Sequence, residues 1–447
     1  MKKFITFSLL FLIMLLSTTS SYAQKTKTDF TSVIKDSGVD TDCISISIKN
    51  VQTGKVLYKL NDKILMNPAS VQKILTTPAI YETLGEDYKF STKLYQKKSG
   101  AYLLKLGADP YLTTSDIRNF VKYISKGTEK MYIDSKILDN RTWGEGWQWD
   151  DDLNPSMVRF GSYNLDKNLI KLTIMPAEKG QIATIINPSK YPIVFFNNII
   201  TSDKNDIKIN RDNSISSNTL ILSGTVARPT CITIPVNDLK KYFEVQLALA
   251  LQNKNIYLKE PLTEGALEPF DKPEFEITHD ILIAFEDILK NSNNMVSETL
   301  FKLAGAKYCQ IATGTDYAGI KMFNDFCVKN KIDNSRIRMV DSSGVSKNNL
   351  VYTDFVTDFL IANKDNKVMT YLPTSGEGTL ALRLLPLKNN IKAKTGTLSD
   401  ISSIAGYLTT KNGKQCVFCI ITNDMKLSSA EKKNLEDYII KEAYLRL

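Results

Sequence analysis

Asn67-Pro68-Ala69-Ser70-Val71-Gln72-Lys73-Ile74-Leu75-Thr76-Thr77 places a serine and a lysine three residues apart where a helix begins. Residues three apart on a helix share a face, so Lys73 stands within hydrogen-bond reach of the Ser70 hydroxyl. A neutral lysine amine there accepts the hydroxyl proton and makes the serine a nucleophile. Upstream, Ile44-Ser45-Ile46-Ser47-Ile48-Lys49 alternates apolar and polar residues, Gln52-Thr53-Gly54-Lys55 supplies a turn, and Val56-Leu57-Tyr58-Lys59-Leu60 follows, a hairpin signature. Downstream the helix runs to about Leu84-Gly85, with Gly85 as its stop. Pro78 lies inside it and predicts a kink or local break.

From about residue 90 to residue 271 short β-like runs alternate with polar turns, as in Leu169-Ile170-Lys171-Leu172-Thr173-Ile174 and Thr219-Leu220-Ile221-Leu222. Trp143, Trp147 and Trp149 crowd into one segment ahead of Asp150-Asp151-Asp152. Packing is the commoner role for such a group, and a ligand-stacking surface the rarer one. Helical periodicity returns from His279 through Leu289 and from Met295 to Leu303, where Gly305 reads as the stop. Strand signals follow at residues 391–395, 403–408 and 416–422, with Lys411-Asn412-Gly413 as a hairpin turn, and a last helix carries Leu435, Tyr438, Ile439 and Ala443. Two strands, a helical middle, then three strands and a closing helix predict one α+β domain interrupted by a mostly β insert.

Lys2 and Lys3 precede an apolar run over residues 4–16 and then Ser21-Tyr22-Ala23, a small-x-small cleavage pattern. Residues 1–23 therefore read as a secretory signal peptide. The run is too short to span a bilayer comfortably, and no cysteine follows the cut to carry a lipid, so no stable membrane anchor is expected. The formal charge of +9 suits an anionic surrounding such as a cell wall. Lys and Arg are scattered, without the concentrated stripe that nucleic-acid binding needs. The six cysteines, in so long a chain, are not a disulfide scaffold. Cys416 and Cys419 lie in an apolar strand, where residues an odd number apart face opposite ways, so they neither bridge nor share a metal.

Three short motifs carry the chemistry. Ser-x-x-Lys occurs at Ser32, Ser70 and Ser429, and the last of these lies in the capping box of the final helix. Ser-x-Asn occurs at Ser162, Ser216, Ser292 and Ser346. Ser292-Asn293-Asn294 is set apart by falling at the break between two helices, where side chains project into a cleft. Lys394-Thr395-Gly396 occurs once, on an expected strand, and Thr397 follows. Glycine there lets a ligand backbone approach closely, beside a cation and a hydroxyl. His279 is the single histidine. It would have to serve any Ser-His-Asp triad, yet at a helix start it reads as a cap or packing residue.

In this order the motifs are the set found in penicillin-binding proteins and class A β-lactamases. The chain resembles the class C low-molecular-mass penicillin-binding proteins, D-alanyl-D-alanine carboxypeptidase/endopeptidases, over nearly all of its length. The resemblance includes the long insert after Ser-x-x-Lys, Leu106-Gly107-Ala108-Asp109-Pro110, Trp149-Asp150-Asp151, Gly224-Thr225-Val226, Asp341-Ser342-Ser343-Gly344-Val345-Ser346, Gly376-Glu377-Gly378-Thr379-Leu380 and Ala405-Gly406-Tyr407. Ala108 and Ser342 stand where that family usually has glycine. The resemblance implies a penicillin-recognising, transpeptidase-like domain, an antiparallel sheet flanked by helices, made of residues 24–95 and 269–447 around an insert of residues 96–268. It implies that Ser70 is acylated with Lys73 as its base, and that Ser292 relays a proton to the leaving D-alanine. Asn294 would hold the substrate amide, Lys394 and Thr395 its carboxylate, with Gly396 beside them, and the backbone N–H groups of Ser70 and Thr397 would form the oxyanion hole. The partners implied are peptidoglycan stem peptides and, as covalent inhibitors, β-lactams. The location implied is the periplasm, beyond the inner membrane, and no cofactor or metal is called for.

Burial and the nearby cation Lys394 are expected to lower the Lys73 pKa so that it serves as a base. A class A β-lactamase would also need a glutamate for deacylation. Between Asn294 and Lys394 the chain offers Glu298 and Glu377, neither followed by asparagine four residues on. A catalytically inert wall-binding protein is the other alternative. Trimming of terminal D-alanine, cutting of cross-links, and oligomeric state all stay open.

Overall fold

The computed structural model describes residues 30–212 and 218–447. The expected signal peptide lies outside the described residues. A short helix α1 (Thr31–Asp36) leads into the hairpin β1 (Ile44–Asn50) and β2 (Val56–Leu60). Helix α2 (Gln72–Leu84) follows a single 3-10 turn at Ala69–Val71. It continues through Pro78 as one element, without the expected local break, and ends at Gly85, whose φ of +82° suits glycine.

The next stretch is built as β3 (Lys89–Gln96), β4 (Tyr102–Lys105), α3 (Thr114–Lys122), β5 (Met131–Asp134), β6 (Leu169–Met175), β7 (Thr184–Ile186), β8 (Val194–Thr201), β9 (Asp206–Arg211), β10 (Thr219–Val226), β11 (Thr230–Pro235), α4 (Leu239–Gln252), β12 (Thr263–Glu264) and β13 (Lys272–Asp280). Its sheets run β12-β5-β4-β3-β13, β11-β6-β7 and β8-β10-β9. Leu104, Phe120, Leu172, Leu222, Phe243 and Leu247 share one apolar core there. Strands β3 and β13 pair antiparallel, with Phe90 opposite His279, so the chain leaves and returns side by side. His279 thus ends a strand instead of starting a helix. Its pairing partner lies far back in the chain, and the apolar helix begins only at Ile281.

Helices α5 (Ile281–Leu289), α6 (Asn294–Cys309), α7 (Asp316–Lys329) and α8 (Thr353–Ala362) come next, then β14 (Ile391–Thr397), β15 (Ile401–Thr409), β16 (Gln415–Asn423) and α9 (Ser429–Arg446). Helix α6 runs past Gly305, the expected stop. A Cβ at Gly305 would lie 2.3 Å from the Gly319 backbone N, so this glycine serves the close approach of α7. The central antiparallel sheet is ordered β14-β15-β16-β1-β2, joining strands from both ends of the chain. One face packs Ile46, Ile404, Phe418 and Ile420 against α9 through Leu435 and Ile439. The other packs Ala405, Val417, Cys419 and Ile421 toward α2, α6 and α8. Cys416 and Cys419 fall in these two different cores, as strand alternation requires. Ser45 and Ser47 are buried under α8, where their hydroxyls bond Thr353 and Thr357 at 2.7 and 2.8 Å.

Candidate active site

Ser70 sits in the 3-10 turn before α2, a turn fixed from several sides. Asn67 Oδ1 accepts the Ala69 N–H at 2.8 Å, Asn67 Nδ2 donates to the Ser346 carbonyl at 3.0 Å, and Ser403 Oγ donates to the Pro68 carbonyl at 2.6 Å. Ala69 has φ of +44°, a left-handed geometry that an L residue adopts only when its surroundings impose it. The side chain of Ser70 is left partly exposed while those around it are buried.

Lys73, in the first turn of α2, is wholly buried. Its Nζ donates to Ser70 Oγ at 3.0 Å, Asn294 Oδ1 at 2.7 Å and the Ser343 carbonyl at 2.7 Å. Burial pushes its pKa down to about 7, against the pull of Glu298 and Asp341, which favour the charged form. Lys394 on β14 is also fully buried, and its pKa lies well below the usual lysine range, first through burial and then through Lys73. The expected influence of a cationic Lys394 on Lys73 is thus minor beside burial. The repulsion is expressed on Lys394, whose Nζ donates to the Thr395 carbonyl at 2.7 Å.

Asn294 opens α6 and donates its Nδ2 to the Ser156 carbonyl at 2.8 Å. Asn293 caps the helix by accepting the Val296 N–H at 3.1 Å. Ser292, with φ of +62°, lines a small cavity with Pro155, Ser156 and Asn293. Its hydroxyl makes no hydrogen bond among the described residues. Gly396 is the strand residue against Ser70: a Cβ there would lie 2.8 Å from Ser70 N and 2.9 Å from the Pro68 carbonyl oxygen. Thr395 is buried and Thr397, at the strand end, is exposed. The structure therefore brings Ser70, Lys73 and Asn294 into direct contact and lays Lys394 to Thr397 alongside, with Ser292 at the rim.

The motifs did not single out the carboxylates behind Lys73. Asp341 accepts from Trp147 Nε1 at 2.8 Å, the Ser346 N–H at 2.6 Å, the Gly344 N–H at 2.8 Å and Asn349 Nδ2 at 2.7 Å. Glu298 accepts the Ser343 N–H at 2.7 Å and the Ser342 N–H at 3.2 Å. Burial and the neighbouring Asp341 raise its pKa to about 8. Glu377, the other glutamate in this interval, pairs with Lys290 at 3.5 Å on the surface. Trp143 and Trp147 pack edge to face at 5.1 Å between centroids, while Trp149 is 81% exposed, so packing claims two of the three.

Residues 26–443 match the model of the D-Ala-D-Ala carboxypeptidase 3 (S13) family. The chain is 23% identical over 420 residues to the D-alanyl-D-alanine carboxypeptidase DacB of Haemophilus influenzae, covering 86% of each chain. It is 24% identical over 443 residues to the D-alanyl-D-alanine carboxypeptidase of Actinomadura sp. strain R39, covering 88% of this chain and 80% of that one. Among solved structures, penicillin binding protein 4 (dacB) of Haemophilus influenzae superposes with a TM-score of 0.79 at 21% identity, over 90% of this chain and 96% of that one. The same protein complexed with a novel β-lactam superposes with a TM-score of 0.75 at 20% identity, over 94% and 100%.

Proposed function

The chain belongs to the D-Ala-D-Ala carboxypeptidase 3 (S13) family, and from that premise we propose that it is a serine D-alanyl-D-alanine carboxypeptidase, endopeptidase or both, acting on peptidoglycan stem peptides through an acyl-enzyme and blocked by β-lactams. The observation that carries the reading is the Lys73 amine, wholly buried with its pKa pushed down to about 7 and 3.0 Å from Ser70 Oγ. An amine so placed is substantially neutral at neutral pH and takes the hydroxyl proton as Ser70 Oγ attacks the carbonyl carbon of the penultimate D-alanine.

The tetrahedral intermediate puts a negative charge on the former carbonyl oxygen. The backbone N–H groups of Ser70 and Thr397 are the donors assigned to it. Collapse breaks the C–N bond, and the proton taken by Lys73 passes by way of Ser292 to the departing D-alanine amine. Water then attacks the ester, Ser70 recovers its proton, and the shortened peptide leaves. Asn294 holds the substrate amide, and Lys394 and Thr395, beside Gly396, receive the terminal carboxylate. An arriving carboxylate returns Lys394 to its ammonium form, which makes capture of an anion favourable just where burial had discouraged the charge.

The division into residues 24–95 with 269–447 around an insert of 96–268 is supported by the separate apolar core of the insert. Export of the chain across the inner membrane to the periplasm follows from the leader and from a peptidoglycan substrate. Among the described residues no helix is long and apolar enough to cross a membrane.

Fluorescent penicillin and purified muropeptides test the reading together. Wild type is expected to label stably and to release D-alanine from uncross-linked stems or to sever cross-linked ones, with Ser70→Ala abolishing both. A folded wild type that neither labels nor cleaves would sink it in favour of an inert wall-binding protein. Rapid turnover of penicillin would point to a β-lactamase.

A further inference from the structure

Glu298 and Asn294 lie four residues apart on α6 and so share a face. Asn294 reaches Lys73 directly, through Oδ1 at 2.7 Å. Glu298 stops short of it and is taken up by backbone: Oε1 accepts the Ser343 N–H and Oε2 the Ser342 N–H. The carbonyls of the same two residues face the other way, onto α2. Ser342 O accepts from Thr76 Oγ1 at 3.2 Å and Ser343 O from Lys73 Nζ at 2.7 Å.

A trans peptide holds its N–H and C=O on opposite sides, so fixing one fixes the other. With the Ser343 N–H on Glu298, the Ser342 carbonyl points to Thr76. Asp341 does the same for the next peptide by holding the Gly344 N–H at 2.8 Å, which turns the Ser343 carbonyl toward the amine. The Ser342 hydroxyl closes the arrangement, bonded to Ser297 at 2.8 Å and to Thr76 at 3.1 Å. Glu298 is 1% exposed. A buried carboxyl with no basic partner is costly unless backbone donors satisfy it, so its presence in the middle of α6 needs a reason beyond packing.

We propose that Glu298 is a positioning residue for Lys73: by gripping the Ser342 and Ser343 N–H groups it fixes the loop whose Ser343 carbonyl holds the amine against Ser70. The inference rests on the assignment of Ser70 and Lys73 above and adds to it a residue that touches no reacting atom. Ser70, Asn294, Ser343 and the charged or titratable Glu298, Asp341 and Lys394 surround the amine. Glu298 itself is faced by Asp341 and, further off, by Asp316.

The test uses Glu298→Gln, which preserves shape but sets an amide donor against a backbone donor, and Glu298→Asp, which keeps the carboxyl but cannot span both N–H groups. Two quantities are read on folded protein: the titration midpoint of Lys73 by NMR of 13Cε-labelled lysine, and the acylation rate by a β-lactam. Glu298→Gln is expected to slow acylation tenfold or more and to move the Lys73 midpoint below that of wild type, because a displaced Ser343 carbonyl no longer accepts from the ammonium form. Glu298→Asp, which can keep only one of the two N–H groups, is expected to slow acylation less and to move the midpoint the same way by less.

Unchanged acylation in either variant overturns the proposal. So does slowed acylation in Glu298→Gln with an unmoved midpoint, which would leave Glu298 a structural residue only. Should Glu298→Gln fail to fold, the Glu298→Asp rate decides. A midpoint that moves in a protein whose wild type is never acylated would strike the functional reading and leave this one standing.

Discussion

The backbone of Gly344 lies against the carbonyl of Ala69: a Cβ at Gly344 would sit 1.9 Å from Ala69 O. Gly344 has φ of +82° and Ala69 φ of +44°, so two left-handed residues from distant parts of the chain interlock directly beside Ser70. Gly344→Ala combines an unfavourable backbone conformation, worth about 1–2 kcal/mol, with a clash against backbone that cannot swing aside. The expected outcome is a lower Tm together with a loss of penicillin acylation larger than the loss of stability, because relief of the clash displaces the Ser70 turn. Thermal unfolding and labelling rate on the same preparation check it.

Acylation is expected to rise with pH through about 7, as Lys73 loses its proton. The same group links to folding with a definite sign. Its folded pKa lies below the unfolded one near 10.4, so the unfolded chain binds more proton between the two values and stability contributed at high pH declines as pH falls toward 7. Lys73→Arg keeps a cation that does not deprotonate in proteins, and is expected to abolish acylation at every pH. A pH–rate profile of both proteins, with the variant still reactive at pH 9, would contradict this.

His279 Nδ1 lies 2.6 Å from Asp109 Oδ2 where β13 reaches the 106–110 loop. The hydrogen bond to Asp109 raises the histidine pKa against the opposing effect of burial. A folded pKa above the unfolded one gives stabilisation that is complete below about pH 6.5 and fades as pH climbs through the folded value. His279→Gln should therefore cost more stability at pH 5.5 than at pH 8.5. Chemical denaturation at the two values measures the difference, and an equal cost at both contradicts the assignment.

Trp147 reaches from the insert to Asp341, with Nε1 to Oδ2 at 2.8 Å. Trp147→Phe removes a donor from a buried carboxylate, and leaving such a group short of a partner costs about 1–3 kcal/mol. Since Asp341 also holds Gly344 and Ser346, the expected signature is a lower urea midpoint together with slower acylation. A variant as stable and reactive as wild type would show that the insert does not brace the site.

The parts of the molecule legible in the sequence are those with local signatures. The β1–β2 hairpin, the glycine at the end of α2, the Ser428–Glu431 capping box and the C-terminal strands each carry a pattern within a few residues. The three motifs rank alike, since each is short and their order supplies the meaning. The place of Glu298 in the site is not legible from the motifs, because what makes it part of the site is a pair of backbone N–H groups from a loop some forty residues further along the chain. One signal existed: Glu298 is a lone carboxylate in the apolar and small run of α6, where an exposed face would have carried several. Gly305 and His279 misled for the same reason, because a glycine in a helix and an apolar run after a histidine look alike whatever distant element packs on them. Ala108, by contrast, has φ of +49°, a backbone setting in which glycine is the easier residue.

Strand β1, which precedes Ser70, is hydrogen-bonded to β16, near the end of the chain, from Ile44 opposite Thr422 to Asn50 opposite Cys416. The platform under Ser70 is thus missing its neighbour until the last strand has been synthesised. A chain that ends before β14 contains Ser70 and Lys73 but has neither Lys394 nor the strands that set it against them. Assembly of the central sheet around Ser70 and Lys73 thus waits on the last strands of the chain.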